Sequence, residues 1–169
     1  MDNIHETTMD WLRDAHAMEQ QAEQMLSMFA NRLENYPELK SRIEDHSRVA
    51  VNHQKLLQGC LERAGESPSA IKDIGAKVMG FGQSISGVMV SDEVVKGMMA
   101  TYVFTQMEIV SYNILAAAAV HSGDAHLLAV CNQILAEEVA MSEWLQNHIP
   151  QITSQYISRM AQNSDRAKR

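Results

Sequence analysis

Glu19, His53, Glu108 and Glu138 each fall on the apolar stripe of a different predicted helix, where a core would ordinarily hold Leu or Ala. Three carboxylates and an imidazole turned inward, one from each helix of a bundle, form the kind of donor set with which such bundles bind metal ions. Glu108 is the sharpest of the four, because no other Asp, Glu, Lys or Arg occurs from Gly97 through Gly123. A carboxylate in so apolar a run must be paired, protonated or coordinated, since an isolated buried charge is very costly.

The helices that must position these groups follow from the apolar period. Trp11, Ala15, Met18, Ala22, Met25 and Phe29, broadened by Leu12, Leu26 and Leu33, predict a first helix from about Thr7 to Asn35. Pro37 ends it and opens the next, whose stripe of Leu39, Ile43, His46, Ala50, His53, Leu57, Cys60 and Ala64 closes at Gly65. So short a connection makes the two helices antiparallel neighbours. Ser67-Pro68 reads as an N-cap and first-turn proline for a short, glycine-broken helix inside a long crossover. Ser91-Asp92-Glu93 caps the third helix, Ser122-Gly123-Asp124 turns it into the fourth, and Pro150 introduces a short C-terminal helix through Met160. The fold class is therefore all-α, a ferritin-like four-helix bundle with a long crossover between helices 2 and 3. A single domain spans residues 1–163, and 164–169 form a polar tail.

Height along the bundle can be counted from the turns. Glu19 lies 17 residues before Tyr36 and His53 lies 16 after Pro37, so both stand at one level. Glu108 lies 14 before Ser122 and Glu138 lies 15 after Gly123, a second level pair. His46 shares the face of His53 but sits seven residues earlier, roughly 10 Å along the axis. It is expected outside the cluster, as a core histidine bonded to a carbonyl or carboxylate. Glu137 is expected at the stripe edge, in solvent. Against metal stands a purely protonic reading, in which His53 is a cation paired to a carboxylate and Tyr112 or Tyr102 donates to Glu108.

Composition narrows the function. The net charge of -7 disfavours nucleic acid and anionic membrane as partners, which bind through clustered Lys and Arg. Helix 3 is interrupted by Thr101, Gln106, Glu108, Ser111 and Asn113, and no membrane span is expected. Cys60 and Cys131 form no ligand or redox pattern, and the acidic N-terminus lacks a signal-peptide core, so a reduced cytoplasmic setting is expected. Helix 3 carries Val95, Met99, Val103 and Val110 on a different side from Met98, Tyr102, Ile109 and Ala116, more apolar surface than one core covers, which predicts a homodimer. Methionines at helical spacing are read as core, and no Ser or Cys sits in a nucleophile motif.

The segments Asp10 to Glu19, Asn35-Tyr36-Pro37-Glu38-Leu39, Ser91-Asp92-Glu93, Tyr102-Val103-Phe104, Glu108-Ile109 and Glu137-Glu138 with Trp144-Leu145 resemble the YciE/YciF family of ferritin-like stress-associated proteins over nearly the whole chain. The resemblance implies a ferritin-like bundle, homodimerisation and a dinuclear metal site at Glu19, His53, Glu108 and Glu138. It also marks departures. Val49 and Thr105 stand where relatives commonly carry carboxylates, and Met141 and Ser142 stand where the fourth helix would supply a His or Asp. Dinuclear carboxylate sites commonly use four Glu and two His, so three Glu and one His imply a reduced site suited to a single hard cation with several waters.

Two functions stay open on these grounds. One is a metal-binding, stress-associated protein holding iron or manganese, with magnesium as an in vitro substitute, and with oxidase- or peroxidase-like chemistry disfavoured by the missing ligands. The other is a dimeric structural or interaction protein that has lost the centre.

Overall fold

The computed structural model describes residues 2–67, 69–71 and 94–162. Four long helices carry the fold: α1 (Asp2–Ala30), α2 (Pro37–Arg63), α3 (Val94–Ser122) and α4 (Ala125–Gln162). No strand occurs among the described residues.

Local chemistry sets the ends of these helices. α2 begins at Pro37, whose missing N–H would be an orphan in the first turn anyway. It ends at Gly65, φ 95°, where Gly65 N donates to Glu62 O and Glu66 N to Leu61 O. α3 ends in the same way at Gly123, φ 73°, with Gly123 N donating to Val120 O and Asp124 N to Ala119 O. Both are left-handed caps that satisfy carbonyls the helix leaves open, and a side chain at either glycine would be strained. Asp124 Oδ1 then accepts from His126 N and Leu127 N at 3.1 and 3.0 Å and starts α4. The expected cap at Ser67 is present, with Ala70 N donating to its Oγ at 3.2 Å. The rest of the crossover segment, the Ser91-Asp92-Glu93 cap and the tail lie outside the described residues.

Packing fixes the topology. α1 packs on α2 and α3, and α4 packs on α2 and α3. The Phe29 ring lies against Gly97 while Tyr112 reaches Glu19, so α1 and α3 run antiparallel. Arg159 bonds Asn35 O, and His53 meets Glu137, so α2 and α4 do too. α2 and α3 are therefore parallel on opposite corners, and the end of one and the start of the other lie a bundle length apart.

Three expectations need correction. α1 begins earlier and ends at Ala30, because Arg32 N and Leu33 N bond to Phe29 O and Ala30 O in a tight final turn that buries Leu33. Trp11 is 43% exposed, and Leu12 takes the core position instead. Pro150 does not break the chain into a separate short helix, since α4 runs through it to Gln162. The segment beyond the proline is held by tertiary contacts: Ile152 is buried, Arg159 donates to Asn35 O at 3.2 Å, and its guanidinium lies 5.6 Å from the Tyr36 ring centre. Those contacts offset the one backbone hydrogen bond the proline removes.

The core is apolar and continuous along the bundle, with Leu12, Leu26, Ile43, Leu57, Leu115, Ile134 and Leu145 at 2% exposure or less. Its middle layer is polar.

Candidate metal centre

All four predicted donors are buried in that layer, Glu19 and His53 fully so and Glu108 and Glu138 at 1 or 2% exposure. Each arrives on the face the helical period assigns to it, and the level pairing of Glu19 with His53 holds: His53 Nδ1 lies 3.2 Å from Glu19 Oε1. The same nitrogen is 3.5 Å from Glu138 Oε1, so α1, α2 and α4 meet at one imidazole. Glu19, His53 and Glu138 each present an atom within 4.8 Å of the others.

His46 does not stand apart. Its Nε2 lies 3.1 Å from Glu138 Oε2, and His46, Glu108 and Glu138 form a second buried triad within 4.8 Å. The axial rise between His46 and His53 is real, but Glu138 bridges it, one oxygen facing each imidazole. Counting Cα rise omitted the length of the side chains and the two ends of the carboxylate.

Glu137 is the second departure from expectation. It is half-exposed, yet its Oε2 lies 2.5 Å from His53 Nε2. His53 thus sits between two carboxylates, Glu19 on its Nδ1 side and Glu137 on its Nε2 side. Tyr112, fully buried, donates its hydroxyl to Glu19 Oε1 at 2.5 Å rather than to Glu108. Of the positions where donors were missing, Thr105, Met141 and Ser142 are buried and Val49 half-buried.

The electrostatics follow from crowding acids in a dry layer. Burial drives Glu108 well above the usual carboxylate range, reinforced by the charges of Glu138 and Glu19, so the layer retains a proton there. Glu19 is also raised by burial, against the pull of His53 and Tyr112. Burial alone would lower His53, but hydrogen bonds and charges from Glu19, Glu137 and Glu138 carry it up to about 9. Tyr112 is raised far by burial and by Glu19. The metal-free site is thus a proton-loaded network.

Some of it is unsatisfied. Glu19 Oε2, Glu108 Oε1 and Glu138 Oε1 are buried without a hydrogen-bond partner. Orphaned carboxylate oxygens are rare in native interiors because each costs free energy. Here there is one from each of three helices, all in the same layer as two imidazoles. Four Glu and two His line the region in all, with a distribution of their own: both imidazoles come from α2, seven residues apart, and α4 supplies the Glu137-Glu138 doublet. The donor set fits one or two divalent ions.

An all-α ferritin-like bundle with an inward layer of carboxylates and imidazoles defines the class. Within it, the chain belongs to the DUF892 family, a domain of unknown function, which matches residues 3–158. It is similar to a protein of known crystal structure from Xanthomonas campestris pv. campestris, with 36% sequence identity, a TM-score of 0.79, and coverage of 94% of this chain and 99% of that one. It also shares its fold with the stress protein YciF of E. coli, at 21% identity, a TM-score of 0.70, and coverage of 88% and 96%.

Proposed function

We propose that the chain is a metal-binding DUF892 protein of the YciE type, whose buried layer takes divalent iron or manganese at two adjoining positions that share Glu138. The reading rests on the three orphaned oxygens, Glu19 Oε2, Glu108 Oε1 and Glu138 Oε1. Glu19, His53 and Glu138 would hold one ion and His46, Glu108 and Glu138 the other. Glu138, with an oxygen toward each triad, would serve both. Bound iron or manganese would supply redox chemistry and open positions for peroxide or dioxygen. That chemistry suits a stress-associated role in the cytoplasm, a setting consistent with the buried free thiols of Cys60 and Cys131.

This departs from the single-cation site that the sequence suggests, because His46 adds a donor that the count from spacing omits. The chain's own groups do the proton work. A bound ion would displace the protons held on His53 and Glu108, while the Tyr112 hydroxyl orients Glu19 Oε1. Anaerobic calorimetric titration with Mn(II) or Fe(II), repeated in buffers of different ionisation enthalpy, should give two equivalents and net proton release. One equivalent would reduce the reading to a mononuclear site, and none would reject it.

A second reading has its own support. Met99, Val103, Val110, Ile114 and Val120 on α3 are all exposed, and Trp11 lies beside Met18, Met107 and Ile114 in a groove between α1 and α3. Unpartnered apolar surface of this kind is expected at an interface between copies. A dimeric structural protein would show a concentration-dependent dimer by sedimentation and no response to metal.

A further inference from the structure

We infer that Glu137 is a positioning residue that holds His53 with Nε2 protonated and Nδ1 free for metal. The inference rests on the metal reading of the buried layer and concerns how one of its ligands is oriented.

The geometry assigns different jobs to the two ring nitrogens. Nδ1 faces the layer, 3.2 Å from Glu19 Oε1 and 3.5 Å from Glu138 Oε1. Nε2 points out of it, 2.5 Å from Glu137 Oε2. A carboxylate cannot donate when ionised, so the proton of that hydrogen bond resides on Nε2. A neutral imidazole carries one N–H, and placing it on Nε2 leaves the Nδ1 lone pair aimed at the triad. Partners of this kind on the far nitrogen fix the tautomer, the ring orientation and the basicity of a ligating histidine.

Glu137 differs from the other carboxylates in two respects. Its side chain is 39% exposed, whereas Glu19 and Glu138 are at 0 and 1%. It also stands outside both triads. It therefore keeps contact with water while touching His53, at the rim of the layer and not inside it. Its position follows from the doublet. Consecutive helical residues point about 100° apart, which follows from 3.6 residues per turn, so Glu138 enters the layer and Glu137 reaches its rim.

The exchange balances simply. With an ion present the Nδ1 lone pair would hold it, any proton on Nδ1 would pass to solvent, and the Nε2 proton would stay on the ring in its hydrogen bond to Glu137 Oε2. No electron is transferred.

The test uses the full chain loaded with Zn(II), a diamagnetic probe, and 15N-labelled histidine, with the His53 signal assigned by its loss in His53→Asn. Long-range 15N–1H correlation should show His53 protonated at Nε2 and coordinated through Nδ1. Glu137→Ala should weaken Zn(II) and Mn(II) binding by roughly 10- to 100-fold, the range for outer partners of ligating histidines. Glu137→Gln, whose carbonyl still accepts from Nε2, should recover most of that loss. Glu143→Ala, an exposed carboxylate on the same helix, should leave affinity unchanged. Coordination through Nε2, or a Glu137→Gln defect equal to that of Glu137→Ala, would overturn the inference and make Glu137 a direct ligand. Unchanged affinity in Glu137→Ala would overturn it while leaving the metal reading intact. Failure of the unmodified protein to bind either ion would overturn the metal reading itself, and this inference with it.

Discussion

The two halves of the buried layer share Glu138 and differ in nearly everything around it. In the first, His53 lies between Glu19 and Glu137, and Glu19 also takes the Tyr112 hydroxyl. In the second, His46 contacts Glu138, and Glu108, like Glu19 in the first, keeps one oxygen with no hydrogen-bond partner. The first half is a charged network touching solvent through Glu137. The second relies on a proton held at Glu108. The contrast teaches that one buried layer can hold its acids in two ways, around His53 by hydrogen bonds at both ring nitrogens and at Glu108 by a retained proton.

The largest effect should come from the residue that joins the halves. Glu138→Gln removes a ligand from both triads, and should weaken binding at both positions by at least the roughly 100-fold that an outer partner can cost. If calorimetry finds one position untouched, the halves do not share Glu138. Next is Glu108→Gln, which should abolish one equivalent and spare the other. Because Gln resembles the protonated acid that burial already favours, the metal-free variant should melt within about 2–4 °C of the parent, the shift that 1 kcal/mol produces in a chain of this size. A variant that loses both equivalents would erase the distinction between the halves.

The smallest effect is on pH dependence. His53 rises from an ordinary 6.5 to about 9, and Glu19 and Glu108 lie above their ordinary 4.5, so the folded chain binds more protons than the unfolded one. Stability that depends on those protons is present at low pH and is lost as pH rises through about 9. His16, lowered by burial, works the opposite way, but is neutral in both states above its ordinary value and drops out there. Metal-free protein should therefore unfold at lower urea concentration at about pH 9 than at about pH 7, as the His53 shift requires. Metal should reverse the slope, since ions compete with the same protons. Parallel slopes with and without metal would separate the proton network from the binding site.

Much of this was legible in the chain. The apolar period placed Glu19, His53, Glu108 and Glu138 inward on four helices, and the turns at Tyr36-Pro37 and Ser122-Gly123 made their heights countable. What escaped was everything that depends on side-chain reach. His46 was set aside on Cα rise, but an imidazole and a carboxylate together span most of that distance. Glu137 was placed at the stripe edge, where it does lie, but its contact with His53 was missed because stripe reasoning selects every third or fourth residue and ignores immediate neighbours. Pro150 misled for a related reason: its cost is local, whereas the contacts of Ile152 and Arg159 that outweigh it join segments far apart in sequence.

Glu108 has a bearing on how the chain is handled before it folds. α3, Val94–Ser122, is long and apolar enough by length and composition to cross a bilayer, and Glu108 is its middle residue, with 14 on either side. Insertion scales charge roughly 2.5–3.5 kcal/mol for an acidic residue such as Asp at the centre of a membrane helix, and only fractions of that toward its ends. The same carboxylate that the finished bundle turns toward its ligand layer thus stands, in the nascent segment, at the depth where it most opposes partitioning into lipid. Replacing it with Leu would remove the buried carboxylate and leave the emerging helix with no charged residue near its centre.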